Sequence, residues 1–192
     1  MKPSKKLFEA VIIHRKLFKN LIVYSLLALT FILFQSPAHA LQFESVAMRN
    51  MDSYKKFDDV TQNAVVIKAK VERSKFFDRM EFASGELGNG ENNSFFVSAG
   101  PSWRFNKRIA GSGLAFIELG TSPTWIEDGN FGDKSLGGHV FFTSNVQVGM
   151  HFGYRRELTL SIRVHHISNG GLDSKNPGTD MVGIELSYIM GR

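Results

Sequence analysis

The chain has 192 residues, 23 Lys+Arg against 18 Asp+Glu, and no cysteine. The missing cysteines exclude a disulfide frame and a thiolate metal site. The net charge of +5 gives no support for a nucleic-acid partner. Six basic residues and one acidic residue, Glu9, fall within positions 1–40, and subtracting them leaves 17 of each sign.

Those first forty residues read as a cleavable signal peptide. Lys2, Lys5, Lys6, Arg15, Lys16 and Lys19 form a basic start, Leu21 to Phe34 is uninterrupted and apolar, and Ala38-His39-Ala40 fits a small-x-small cleavage pattern. The apolar run is shorter than the roughly 18–20 residues of a membrane-spanning helix, which argues against an uncleaved anchor. Residues 41–192 then form one domain by length. A secreted domain of this size without disulfides gains its stability from a closed sheet or from a membrane.

After Leu41 no segment has a membrane helix's length and apolarity, and period-2 alternation recurs instead. Strands are predicted at 42–50, 62–72, 79–86, 94–105, 113–125, 138–152, 157–168 and 180–190. The first has a poor pattern, and Tyr54 to Asp59 reads as a short helix or a mobile loop. In the second, Val65, Ile67, Ala69 and Val71 oppose Lys68, Lys70 and Glu72. In the fourth, Phe95, Val97, Ala99, Trp103 and Phe105 oppose Ser98, Gly100, Ser102 and Arg104. In the sixth, Val140, Phe142, Val146, Val148, Met150 and Phe152 oppose His139, Asn145, Gln147 and His151. In the eighth, Val182, Ile184, Leu186, Tyr188 and Met190 oppose Gly183, Glu185 and Ser187.

A soluble barrel with an apolar core and a membrane barrel with an apolar exterior both alternate in this way. Gln, Asn, His, Arg, Glu and small residues on the polar parity suit a tight lumen, and the bulky aromatics suit lipid. Links at 73–78, 106–112 and 153–156 are short. Those at 51–61, 87–93, 126–137 and 169–179 are mostly longer and rich in Gly, Asn and Asp, so short and long links alternate as periplasmic turns and extracellular loops do in outer-membrane barrels. The expected fold is all-β: an eight-stranded antiparallel transmembrane β-barrel of a Gram-negative outer membrane, its interior filled by side chains. Trp103, Phe105, Trp125 and Tyr188 read as interface-belt anchors, and Gly85 to Gly90 as an extracellular turn. His165 reads as a lumen side chain hydrogen-bonded to neighbours such as Arg163, and His139 and His151 read the same way. No metal site and no cofactor are expected. The chain ends Tyr188-Ile189-Met190-Gly191-Arg192, without the terminal aromatic usual in such barrels.

The seventh segment carries the chemistry. From Leu158 to Ser168 it alternates strictly until His166 and Ser168 take places on the face of Leu158, Leu160, Ile162 and Val164. With both termini periplasmic, Ser168 lies at the outer end of this strand and Asp180 at the outer end of the next. Asp180 shares the parity of Val182, Ile184 and Leu186, so His166, Ser168 and Asp180 are expected to converge on one lipid-facing patch. A serine hydroxyl becomes nucleophilic when an imidazole takes its proton, and a carboxylate fixes the imidazole tautomer. Glu185 is the weaker candidate acid, aimed into the lumen and about 17 Å farther along the strand at roughly 3.3 Å per residue.

The run His166-Ile167-Ser168-Asn169-Gly170-Gly171-Leu172, followed by Asn176-Pro177-Gly178-Thr179-Asp180 and Tyr188, resembles the outer-membrane lipid A 3-O-deacylase (PagL) family. A looser similarity reaches back to Phe116–Gly120 and to Gly132–Gly137. The resemblance implies a serine esterase that removes the ester-linked 3-hydroxyacyl chain at position 3 of lipid A, with its active site toward the outer leaflet. Ser168 would be the nucleophile, His166 the base and Asp180 the orienting acid. Asn169, Gly171 and Asn176 would supply oxyanion donors or shape the substrate pocket. Asp180 departs from the glutamate of the best-known members, and Gly170 from their usual alanine. The implied partners are lipopolysaccharide and outer-membrane lipids, and a homodimer is left open. A non-catalytic small barrel with structural or adhesive loops is the alternative, and an outer-membrane phospholipase keeps the chemistry but changes the substrate.

Overall fold

The computed structural model describes residues 41–54, 59–72, 74–109, 113–131, 134–174 and 176–190. The segment read as a signal peptide, 1–40, lies outside them, as do residues 55–58 of the stretch read as helix or loop. Among the described residues every regular element is a strand: β1 (Leu41–Ser53), β2 (Thr61–Val71), β3 (Arg79–Gly88), β4 (Asn93–Arg108), β5 (Leu114–Ile126), β6 (Asn130–Phe131), β7 (Lys134–Ser135), β8 (Val140–Phe152), β9 (Leu158–Ser168) and β10 (Thr179–Ile189). Eight of them close an antiparallel barrel in the order β1-β10-β9-β8-β5-β4-β3-β2, and β6 and β7 make a hairpin in the link between β5 and β8. The eight barrel strands match the predicted ones within three residues at every end.

The barrel is apolar outside and polar inside. Ile162, Val164, Val146, Val148, Ile117, Val65 and Ile184 are all exposed, whereas Lys68, Glu118, Gln147, Arg163 and Glu185 are buried. Period-2 alternation places these two sets on opposite faces of the same strands. Closure pairs the backbone groups that an open sheet edge would leave without partners in hydrocarbon.

In the lumen every barrel strand contributes at least one side chain to a single network: Arg49 of β1, Lys68 of β2, Glu81 of β3, Arg104 of β4, Glu118 of β5, Gln147 of β8, Arg163 of β9 and Glu185 of β10. Arg163 grips Glu81 through both guanidinium nitrogens, at 2.7 and 2.8 Å. Arg49 bridges Glu81 at 2.9 Å and Glu185 at 2.6 Å. The Lys68 ammonium lies 2.8 Å from Glu118 and 2.9 Å from Glu185. Toward the inner end a separate pair joins Arg79 to Glu44 at 2.7 Å. Toward the outer end the filling turns apolar, with Met51, Val60, Leu87, Phe96, Ile126, Phe131, Leu136, Phe141, Ile167 and Met181 in one buried cluster.

Several sequence readings are corrected. A register shift between Phe43 and Ser45 leaves Glu44 and Ser45 both buried, the signature of a β-bulge, and it accounts for the poor pattern of the first strand. Across from this bulge the parity of β2 also slips. Ala69 is buried, and the Lys70 side chain is 47% exposed rather than in the lumen. The outer link between β3 and β4 is only Asn89–Asn92, because β3 runs on through Gly85 to Gly88, so not every outer link is long. His165 is buried, but its ring nitrogens have no hydrogen-bond partner among the described residues. His139 precedes β8 and is exposed, its Nδ1 lying 3.2 Å from the Ile126 carbonyl oxygen, whereas the ring of buried His151 packs at a tilt against Phe116.

Glu185→Gln should expose the weight of the network. It removes a charge facing Arg49 and Lys68 while leaving both cations buried, which typically destabilises by about 3–5 kcal/mol. Denaturant unfolding of the detergent-folded barrel, followed by tryptophan fluorescence, should show that loss.

Candidate active site on the barrel wall

The outer end of β9 departs from the lipid-facing pattern that precedes it. Leu160, Ile162 and Val164 point outward as exposed apolar side chains, and the next two outward positions are His166, exposed, and Ser168, half-buried. The antiparallel ladders pair His166 with Asp180 of β10 on one side and with Ser144 of β8 on the other. Directly paired side chains share a face of the sheet, so the imidazole and the carboxylate meet. His166 Nδ1 lies 2.6 Å from Asp180 Oδ1, with the two side chains 48% and 18% exposed. A carboxylate accepting from Nδ1–H fixes the tautomer with its lone pair on Nε2, the nitrogen free to take a proton. Ser168 stands one same-face step farther out, roughly 6.6 Å in backbone spacing. Glu185, by contrast, is in the lumen network.

The loop from Asn169 to Gly178 closes over this end. Asn169 is fully buried. Its backbone N–H donates to Asn176 Oδ1 at 3.0 Å, and its Oδ1 accepts from the Gly171 N–H at 2.9 Å. Its Nδ2 donates to the carbonyls of Leu136 and Gly137, at 3.2 and 3.1 Å, in the link between β5 and β8. Asn169, Gly171 and Asn176 are thus brought together, and the Asn169 amide ties two outer loops to each other. Because the Asn176 Oδ1 accepts from Asn169, the orientation of this exposed side chain is set, with Nδ2 as its remaining donor.

Gly178 gains a role beyond its place in the Asn-Pro-Gly run. Its φ of +65° is left-handed, and a Cβ there would sit 2.8 Å from His166 Cε1 and 3.3 Å from Nε2. The loop backbone therefore packs against the imidazole edge that bears the free nitrogen. The Leu136 and Gly137 carbonyls left no trace in the sequence, since a backbone acceptor has no residue code. Among the described residues no three His, Asp or Glu side chains gather as metal ligands.

Fold and site together define a small outer-membrane barrel with an imidazole–carboxylate pair on its lipid-facing wall. The family model of lipid A 3-O-deacylase (PagL) matches residues 69–189, more than half of the chain, and the chain belongs to that family. It is similar to lipid A deacylase PagL of Bordetella bronchiseptica, 34% identical over 77 residues, a stretch that is 38% of this chain and 40% of that protein. The chain therefore matches well under two thirds of that relative's length. Among solved structures, the outer membrane enzyme PagL superposes with a TM-score of 0.56 at 18% identity, covering 76% of this chain and 98% of that one. Neisserial surface protein A gives a TM-score of 0.46 at 12% identity, over 76% and 94% of the two chains.

A methyl group at Gly178 must displace the imidazole or the loop, and it also adds the left-handed backbone penalty of roughly 1–2 kcal/mol. Gly178→Ala should retain the heat-modifiable mobility of a folded barrel while lowering hydrolysis of a lipid ester at least tenfold.

Proposed function

We propose that this protein is a serine esterase that hydrolyses the ester-linked 3-hydroxyacyl chain at position 3 of lipid A in the outer leaflet. The observation that carries this reading is the 2.6 Å contact between His166 and Asp180 on a wall made largely of lipid-facing apolar side chains. A carboxylate and an imidazole beside hydrocarbon are costly, and a reaction at that wall is a reason for a chain to carry them there.

In this mechanism His166 Nε2 takes the proton of Ser168 Oγ as the oxygen attacks the ester carbonyl. Asp180, accepting from Nδ1–H, stabilises the imidazolium that forms. The developing oxyanion is met by donors of the Asn169–Gly178 loop, foremost Asn176 Nδ2. Gly171, whose N–H is given to Asn169, and Asn169 itself hold the loop in shape. The imidazolium then protonates the departing sugar oxygen, leaving the acyl chain on Ser168. Water, deprotonated by the same imidazole, releases the fatty acid and restores the serine. The shorter side chain of Asp180 reaches His166 because the two residues pair directly across the ladder.

Mass spectrometry of lipid A from cells with and without the protein tests this reading. Loss of one hydroxyacyl unit is expected; unchanged lipid A with altered phospholipids would instead favour a phospholipase. Ser168→Ala and His166→Ala should each lower turnover by several orders of magnitude, with the double variant barely worse than either.

The acid is tested separately. Asp180→Asn should lower turnover on the order of a hundredfold or more, less than loss of the serine, and Asp180→Glu should retain substantial activity. Rates compared at equal folded fraction should show Glu185→Gln nearly unchanged. The reverse pattern for Asp180→Asn and Glu185→Gln would reassign the acid.

A further inference from the structure

The outward row of β8 is apolar from Val140 through Phe142, Val146, Val148 and Met150 to Phe152, and it is broken once, by exposed Ser144. The register sets Ser144 directly opposite His166, so the imidazole has a carboxylate on its β10 side and a hydroxyl on its β8 side. A hydroxyl turned toward hydrocarbon is unfavourable without a hydrogen-bond partner.

The path of an acyl chain follows from these neighbours. A chain joined through its carbonyl carbon to Ser168 must descend along the wall into the leaflet. On the β10 side it would run past the Asp180 carboxylate. On the β8 side it passes Ser144 and then reaches Val146, Val164, Val148 and Ile162, all apolar and exposed. The β8 side is the compatible one.

Ser168 pairs with Phe142, which makes Ser144 its diagonal neighbour, roughly 7–8 Å away. The acyl carbonyl, the two-carbon step to a 3-hydroxyl and one O–H···O hydrogen bond of about 2.8 Å together cover that span.

We propose that the Ser144 hydroxyl hydrogen-bonds the 3-hydroxyl of the acyl chain and so selects 3-hydroxyacyl esters over the unsubstituted fatty acyl esters of phospholipids. This inference rests on the esterase reading above and deepens it. A site built to pair a substrate hydroxyl discriminates against the analogue that lacks it, because its own polar group is then left without a partner. Ser144 acts on selectivity and takes no part in bond making.

The test uses the full barrel folded in detergent micelles and two synthetic glucosamine lipids, acylated at O-3 with 3-hydroxytetradecanoyl or with tetradecanoyl. Wild type should favour the hydroxylated ester in kcat/KM by at least tenfold. Ser144→Ala should bring that ratio near one, chiefly by slowing the hydroxylated ester. Ser144→Thr, which keeps a hydroxyl, should preserve most of the preference. Thr121→Val, exposed on β5 directly opposite Ser144 and one strand farther from His166, should leave it unchanged.

Equal rates on both esters in wild type, or a Ser144→Ala variant that slows both equally, would overturn the proposal while leaving the esterase reading intact. So would a loss of preference in Thr121→Val matching that in Ser144→Ala. Absence of turnover on either ester in wild type would overturn the esterase reading, and this one with it.

Discussion

The register of the eight barrel strands is the constraint on which the rest of this molecule depends, and the lumen network sets it. Each barrel strand sends at least one member into the network, from Arg49 of β1 to Glu185 of β10. A single buried ion pair is weak evidence for stability, since desolvation offsets most of its attraction. Its value here is in specificity. A slip of one residue in any strand would turn its network member out to lipid and strand its partners in the lumen. The same register pairs His166 with Asp180, so the charges inside the barrel hold the imidazole and the carboxylate together on its wall.

Closure imposes a second condition at the seam beside the site. A Cβ at Gly183 would lie 2.1 Å from the Asn50 carbonyl oxygen, so β10 and β1 come together only because that lumen-facing position is glycine. The Tyr54 N–H donates to the Asp180 carbonyl at 3.3 Å, extending the seam to the residue that faces His166. His166, Ser168 and Asp180 thus stand on two paired strands, the kind of rigid support that holds side-chain geometry better than loops do. The one loop that matters, from Asn169 onward, is braced by a buried amide spanning to its neighbour.

What could be read from the sequence is what period-2 alternation encodes. All eight barrel strands, the outward parity of His166, Ser168 and Asp180, and the inward parity of Glu185 follow from which residues share a face. The bulge between Phe43 and Ser45 could not be read, because one extra residue inverts the parity that the pattern relies on, and Lys70 was misplaced with it. The partners within the network were also hidden. A polar parity shows that Lys68 and Glu118 face inward, but only strand order in space brings them together. Asn169 stands among the residues that the resemblance marks for the site, and the reach of its amide to backbone carbonyls some thirty residues away has no sign in the sequence. Ser144 escaped notice because a lone serine reads as a gap in an apolar row.

The filling of the barrel has a consequence for the cell that carries it. Buried charges and hydrogen-bonded amides occupy the middle of the lumen, and the apolar cluster around Phe96, Phe141 and Leu136 stops its outer end. Antibiotics, bile salts and nutrients find no passage through such a cylinder. A bacterium can therefore hold many copies in its envelope without opening a path for toxic solutes through their lumens.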